Sequence, residues 1–505
     1  MRLKYKILFL SLVCYFSLSA QQLMQLNLDD ALRLAQTQSL QSFLVKNTYL
    51  ADYWQYKSYK ANFLPSLEFR TNLVSYTNAN QLRYNSVTET EDFVRTQTLN
   101  SDASLMVIQN VGVTGGTFFM QTDLDRNENF GSTPYTQFSS RPFRIGYQQE
   151  LFGYNEFKWD HKLEPKKYEK AMLQYLHDVE FTNMKTCQYF FALAMANMEK
   201  EMADYNLQSI DTLLNIAERR FELGTVDKAE LMELRLNQNN AQIRVEESLL
   251  QYRKEKEAFI TFLRLPSEID PQLLLPEAID LQIPEEEALR VALDRNAQMI
   301  EHEINVLSSE QEVAEMKAKN RFQANLSISY GINKADGYYD YNNDIPVNGS
   351  IGNVYRPDFD DYQQLGISLN VPILDWGKRK GQFKMAQSRQ EITRIAVEQA
   401  IQSFEQEVIT KVLGFNLQYN KVQSASRSDQ LALESYQLTE QRFRKGNVDV
   451  QKLTLSQQAK DNASLKYISS LYQYWLNYYE VRHFTLFDFR KNVQLVEDFE
   501  ALLKN

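Results

Sequence analysis

The chain contains few of the residues that interrupt helices or support catalysis. Its 505 residues include 16 glycines, 11 prolines, 4 histidines and 2 cysteines. Cys14 lies in the N-terminal segment described below, so Cys187 has no partner for an intramolecular disulfide. The net charge of −10 argues against the basic surface that nucleic-acid binding needs, and we expect no nucleic-acid partner.

Sequence signatures of catalysis are also missing. The four histidines are scattered and form no H-E-x-x-H motif or other paired metal-ligand spacing. The stretch "VTGGTF" has two glycines but lacks the Lys-Ser/Thr of a phosphate-binding loop, and a turn in a sheet explains it better. We therefore expect no enzyme activity, no cofactor and no metal site.

Long apolar runs are absent after the N-terminus, so no transmembrane helix is expected. The N-terminus itself has basic residues at Arg2, Lys4 and Lys6, an apolar stretch from Ile7 to Leu18, and "SLSA" ending at Ala20. This is the anatomy of a secretory signal peptide, which we assign to residues 1–20. Val13 is too bulky for the usual lipidation site before Cys14, so a lipid anchor is not expected.

An internal repeat organises the mature chain. The stretch "RRFELGTVDKAEL" (residues 219–231) resembles "QRFRKGNVDVQKL" (residues 441–453), with a shift of 222 residues, as from Gly224 to Gly446. The two halves also start alike, since "LDDALRLA" (residues 28–35) resembles "EEEALRVA" (residues 285–292). A repeat of this kind predicts two copies of one structural unit.

The two starts are farther apart than the two corners, so the first half has an insertion near residues 73–143. Whether an extra hairpin lies within it stays open at this stage. Four prolines between residues 266 and 284 prevent a continuous helix there and indicate a linker. The domains are then the first repeat at 21–265, the linker at 266–284, the second repeat at 285–487 and a tail at 488–505.

Each repeat shows the same order of predicted elements. A helical start leads into alternating, strand-like sequence at about 66–152 and about 325–374, as in "NLSISYGI" and "LGISLNVPIL". Long helical stretches follow at about 165–223 and 377–445, each roughly 90 to 100 Å long. A second helix returns from each corner, with tips near residues 224 and 446.

The local chemistry of the corners is that of helix capping. Gly224 and Gly446 suit the left-handed residue that ends a helix. Asp227 and Asp449 stand where an N-cap side chain accepts from free backbone N–H groups of the next helix. Glu230 completes a capping box in the first corner, whereas Lys452 cannot do so in the second.

Two strands in each half would give about four strands in one chain. An open sheet cannot span a membrane, because unpaired backbone groups in lipid cost several kcal/mol each. Single-chain barrels begin at about eight strands, so membrane-spanning strands of this chain would have to combine between copies. Three copies would supply twelve strands.

These features together resemble the TolC-like outer-membrane efflux proteins. The resemblance rests on the signal peptide, the two repeats, the "LDDALRLA" and "EEEALRVA" openings, the "NVPILDWGKRK" transition and the paired "RFxxGxVD" corners. It implies an α+β homotrimeric channel, with a twelve-stranded β-barrel in the cell outer membrane continued by a long α-helical coiled-coil barrel across the periplasm. The linker and tail would belong to an equatorial belt around the helices.

The resemblance also implies partners. A periplasmic adaptor (membrane-fusion) protein would dock at the periplasmic tip and connect the channel to an inner-membrane pump of the RND, ABC or MFS type. The expected tip residues are Arg220, Leu223, Gly224, Thr225, Arg442, Lys445, Gly446 and Asn447. Family members commonly carry an acidic residue where this chain has Lys452, so a luminal acidic constriction would come from Glu230 and Glu233.

Two other interpretations remain at the sequence level. A soluble periplasmic coiled-coil scaffold or adaptor with a small β-domain would share the helices and the alternating strands. A stand-alone porin would account for the strands but not for several hundred helical residues. The cargo and the class of pump do not follow from the sequence.

Overall fold

The structure is a computed structural model that describes residues 22–85, 89–130, 134–224, 226–335 and 360–504. The expected signal peptide at 1–20 lies outside the described residues. Among the helices that the structure describes, none is both long and apolar enough to cross a membrane.

The first half of the chain contains four helices and five strands among its described residues. They are β1 (Gln22–Asn27), α1 (Leu28–Gln38), α2 (Leu40–Ala61), β2 (Ser66–Asn85), β3 (Thr90–Val111), β4 (Gly116–Asn129), β5 (Tyr135–Leu151), α3 (Glu156–Glu222) and α4 (Lys228–Leu263).

Among the described residues, the second half repeats this order with three strands before its long helices, followed by a short tail. Its elements are β6 (Ile269–Leu274), α5 (Glu285–Asp294), α6 (Ala297–Lys319), β7 (Gln323–Ala335), β8 (Asp360–Asn370), α7 (Lys378–Arg444), α8 (Val450–Thr485), β9 (Phe487–Asp488), β10 (Val493–Gln494) and α9 (Phe499–Lys504).

The long helices of the two halves have equal lengths. Both α3 and α7 have 67 residues, or about 100 Å, and both α4 and α8 have 36 residues. The expected start of α3 near Pro165 is wrong, because the helix begins at Glu156 and Pro165 lies inside it. The Asn155 side chain accepts from the N–H of Lys158 (3.1 Å) and caps the earlier start, while Pro165 removes only one backbone donor.

Among the described residues, one antiparallel sheet contains six strands, where we expected about four. Its order is β2-β3-β4-β5-β7-β8. The additional strands, β3 and β4, form a hairpin inside the insertion expected at 73–143, joined by a turn with Gly115 at φ 78°. The sequence obscures this hairpin because polar residues such as Asn100, Ser101 and Asp102 interrupt the alternation in the middle of β3.

The proline-rich linker also holds more regular structure than we expected. Strand β6 pairs in parallel with β1, and Pro271 stands opposite Met24 in a sheet of only two strands, where a missing N–H is tolerated. Farther along, the amide side chain of Asn416 bonds both the N–H and the carbonyl of Ile283, each at 2.9 Å. The linker is thus attached to the helical core.

The chain divides into two compact units, which the long helices α3 and α7 each help to form. One unit comprises residues 52–169 and 300–398 and contains the six-stranded sheet. The other contains Lys170–Met299 and the chain at both ends, and its core is apolar. Phe190, Phe259 and Phe415 are fully buried in this core, together with Cys187.

Candidate functional site: the helix corners and the sheet faces

The first corner connects α3 to α4. Gly224 follows the end of α3 with a φ of +71°, a left-handed conformation that disfavours residues with a Cβ. Asp227 is the N-cap of α4, and its side chain accepts from the N–H of Glu230 at 2.9 Å. Thr225, an expected tip residue, lies outside the described residues.

The second corner connects α7 to α8 with the same chemistry. Gly446 has a φ of +79°, and the N–H of Asn447 donates to the carbonyl of Arg442 at 2.9 Å. Asp449 is the N-cap of α8, and its side chain accepts from the N–H of Lys452 at 2.8 Å. The matching sequences therefore have matching backbones.

The two corners pack on one another through a small apolar core. Four long helices contribute to it, and the buried residues are Leu213, Leu214, Ala217, Leu231, Leu234, Tyr436, Phe443, Val450 and Leu453. The hydroxyl groups of Ser209 and Tyr436 lie 3.0 Å apart beside it. Sequence analysis did not identify this cluster, although the helical spacing of its members was a usable signal.

Arg220 connects the corners, and Arg442 does not. The Arg220 guanidinium donates to the carbonyls of Phe443 (3.0 Å) and Arg444 in the last turn of α7, where carbonyls lack partners within the helix. A cation at this position also suits the negative end of the helix dipole. Arg442, which occupies the equivalent place in the second repeat, is exposed and has no side-chain partner within the described part of the chain.

The remaining expected tip residues form an accessible surface. Leu223 is 78% exposed, which is high for a leucine, and Lys445 and Asn447 are also exposed. They lie on the turns themselves, outside the small apolar core. The surface therefore presents an apolar side chain on the first corner and a cation on the second.

The acidic residues expected at a constriction lie close to the caps. Burial raises the pKa of Glu230, and the charges of Asp227, Asp449 and Glu233 raise it further. The structure thus brings Glu230 near Asp449 of the second corner and near Glu233 of its own helix. No group of three His, Cys, Asp or Glu residues among the described positions is arranged to hold a metal ion.

The six-stranded sheet forms a second notable surface, because one of its faces is apolar. Residues that are cross-strand partners share a face. The row Phe118–Tyr147–Ile328–Leu365 crosses four strands, and the row Leu67–Val107–Met120–Ile145–Tyr330 crosses five. Most of these side chains are exposed: Leu67 is 65% exposed, Phe118 48% and Leu365 69%. We call this surface the apolar face of the sheet.

The opposite face is polar and more buried. The row Phe119–Gly146–Ser329–Gln364 runs across it, and Ser329 is only 4% exposed. Asp123, also on this face, pairs with Arg141 at 3.0 Å. The Arg144 guanidinium lies 5.2 Å from the centre of the Phe119 ring. We call this the polar face of the sheet.

Comparison with known proteins agrees with this architecture. The family model described as outer membrane efflux protein matches residues 288–482. The solved structure of the CmeC outer membrane channel of Campylobacter jejuni has a TM-score of 0.63 at 13% identity, covering 94% of this chain and 88% of that one. No protein among the curated ones matches in sequence.

Two further structures give similar values. The structure of CusC, described in connection with transmembrane channel formation, has a TM-score of 0.62 at 13% identity, covering 91% of each chain. That of the outer membrane protein VceC of Vibrio cholerae has a TM-score of 0.59 at 11% identity, covering 93% of this chain and 97% of that one. Identities this low establish a likeness of fold.

The resemblance inferred from the sequence is therefore confirmed, and it fits the expected cell outer membrane localisation. The family match covers the second repeat, from helix α5 to helix α8, and the structural matches extend over both repeats. Residues 288–482 thus match the outer membrane efflux protein family, and the chain as a whole is similar in fold to solved outer-membrane channels.

Proposed function

We propose that this protein is the outer-membrane channel component of a tripartite efflux or type I secretion system. Three copies form a passive exit duct across the outer membrane and the periplasm. A periplasmic adaptor engages the helix corners, and an inner-membrane pump supplies the energy. The chain itself performs no catalysis in this scheme.

The observation that carries the proposal is the pair of opposite faces on one sheet. An apolar face exposed across all six strands would be a large aggregation-prone patch in water. Lipid acyl chains would cover it favourably, while the polar face would line an aqueous path. The rival proposal, a soluble periplasmic scaffold, leaves Leu67, Phe118 and Leu365 facing solvent.

The corners are proposed as the docking and opening end of the duct. Close to the corners, the helices are held together by a small apolar core, by the Arg220 bonds and by polar contacts such as Arg235–Glu218 (3.1 Å) and Asn237–Thr454 (3.3 Å). Exposed Leu223 and Lys445 offer an apolar and a cationic contact to an adaptor. Glu230 and Glu233 supply negative charge that would favour the passage of cationic solutes.

Fractionation and mass measurement test this function. We expect the full chain in the outer-membrane fraction, released only by detergent, and a trimeric mass by light scattering of the extracted protein. Reconstituted into planar bilayers of outer-membrane lipid, it should conduct ions without an added energy source. Recovery in the soluble periplasmic fraction without detergent would favour the scaffold, and a monomeric mass would contradict the trimer.

A further inference from the structure

The six-stranded sheet has two edges that no described strand covers. Strand β2 ends it on one side and β8 on the other. Both edges can pair along their whole length, because neither Ser66–Asn85 nor Asp360–Asn370 contains proline. Pro65 directly precedes β2 and Pro372 lies just beyond β8, so proline bounds the pairing region of both edges at the same end of the sheet.

We infer that copies of this chain close their sheets by pairing β8 of one copy with β2 of the next, so that a trimer has a wall of eighteen strands. This inference rests on the proposed function, because it takes the outer-membrane trimer as given. It differs from the twelve strands expected at four per chain.

Strand direction agrees with this closure. Every neighbouring pair in the sheet is antiparallel, and the described residues supply an even number of strands to it. Strands β2 and β8 therefore run in opposite directions, and β8 meets the next β2 as a further antiparallel pair. An odd number per copy would force a parallel pair at each junction between copies.

The chemistry of the two edges agrees as well. On β8, Ile367 and Leu369 belong to the apolar face and are 66% and 62% exposed. On β2, Leu67 and Phe69 belong to the same face and are 65% and 66% exposed. A shift of one residue in the pairing would put these apolar side chains on the polar face. The register between copies must therefore place the apolar side chains of β8 and of β2 on the same face.

Strand length supports β8 as part of the wall. A strand that crosses an outer membrane needs about 9 to 11 residues, and β8 has 11. The first ten or so residues of β2 are about as long as β8. The rest of β2 pairs with β3 and extends as a hairpin beyond the start of β8. Leaving such an edge unpaired in lipid would cost several kcal/mol for each free backbone group.

Closure with eighteen strands has a consequence for the duct. The diameter of a barrel grows roughly linearly with strand number, so this wall is about 1.5 times as wide as one of twelve. The two strands that widen it come from the first repeat alone, since β3 and β4 have no counterpart between β7 and β8 among the described residues.

Cysteine pairs placed on the two edges test the inference in the full-length protein. Cys187 is buried and leaves the background unreactive. Phe69→Cys or Leu67→Cys on β2 is combined with Ile367→Cys or Leu365→Cys on β8. These pairs sample registers in which both cysteines lie on the apolar face. We expect at least one pair to form covalent dimers and trimers on non-reducing gels, with at least tenfold more product than the opposite-face control Glu68→Cys with Ile367→Cys.

Two outcomes would overturn the eighteen-strand wall without affecting the proposed function. One is a trimeric mass with no cross-link from any of these pairs. The other is efficient cross-linking of Ile367→Cys to Met120→Cys on β4 of a neighbouring copy, which would mean that β2 and β3 lie outside the wall. A covalent ladder that stops at dimers would also contradict it, whereas a monomeric mass would instead refute the trimer of the proposed function.

Discussion

The contact between α3 and α8 differs sharply from its counterpart one repeat away. Arg482 on α8 donates to Glu180 on α3 (2.7 Å) and to Asp488 (3.2 Å), and both carboxyl side chains are almost fully buried. The position equivalent to Arg482 in the other repeat is Ile260, and the one equivalent to Glu180 is Gln402; both side chains are neutral. The buried charges are therefore present at the contact between α3 and α8 and absent from the equivalent positions of α7 and α4.

The buried positions, by contrast, follow the repeat in part. Several positions separated by 222 residues are buried in both halves even where their side chains differ in size, although Phe191 is fully buried and its counterpart Leu413 is exposed. Examples are Thr182 and Phe404, Thr186 and Val408, Phe190 and Val412, and Leu193 and Phe415. The repeat thus preserves part of the core and the helix caps at the corners, while the buried ion pairs of Arg482 have no counterpart at the equivalent positions.

Removing the buried cation should have the largest effect. Arg482→Met leaves Glu180 and Asp488 buried without their partner, and we expect a loss of about 3 to 5 kcal/mol in the free energy of unfolding. The matched variant at the equivalent position, Ile260→Met, should cost less than about 1.5 kcal/mol. Denaturant titration of the detergent-extracted protein measures both, and equal losses would refute the asymmetry.

The next effect concerns pH and the histidine pair beside this cluster. Burial and the neighbouring His483 lower the pKa of His177 to about 3 from its ordinary 6.5. His177 is therefore neutral when folded, while the unfolded chain takes up a proton below pH 6.5. The stability that depends on it is complete above pH 6.5 and falls as the pH drops towards 3, by about 2 kcal/mol at pH 5.

Replacing His177 by the residue found one repeat away tests this account. His177→Gln should reduce the loss of stability between pH 7 and pH 5 by about 2 kcal/mol, leaving the smaller part due to His483, whose pKa burial also lowers. His302→Gln, at a half-buried histidine outside this pair, serves as a control for the substitution itself. An unchanged slope for His177→Gln would contradict the assignment.

The smallest effect separates the two corners. Arg220→Ala removes two bonds to the carbonyls at the end of α7 and should cost about 1 to 2 kcal/mol, because the group is only partly buried. Arg442→Ala, which loses no side-chain partner among the described residues, should change the stability of an isolated copy by less than about 0.5 kcal/mol. Hydrogen exchange at the last turn of α7 should accelerate only for Arg220→Ala, and acceleration in both variants would argue against a difference between the corners.

The corners were the part of the candidate site most open to prediction. A left-handed glycine and an N-cap Asp act within a few residues, so "GTVD" and "GNVD" signal the turn locally. The different partners of Arg220 and Arg442 could not be predicted, because they depend on which helix end lies beside each corner. The hairpin β3–β4 stayed an open question at the sequence level for a related reason, since its polar residues pair across strands rather than with chain neighbours.

The sequence by itself determined the duplication, the long helices, the corners and the family resemblance, because helical spacing and capping are short-range properties of the chain. Only the tertiary structure decided that six strands share one sheet, which residues of those strands share a face, and that buried charges join α3 to α8. These features join residues tens to hundreds of positions apart. Their partners are selected by packing and desolvation, which no local pattern encodes.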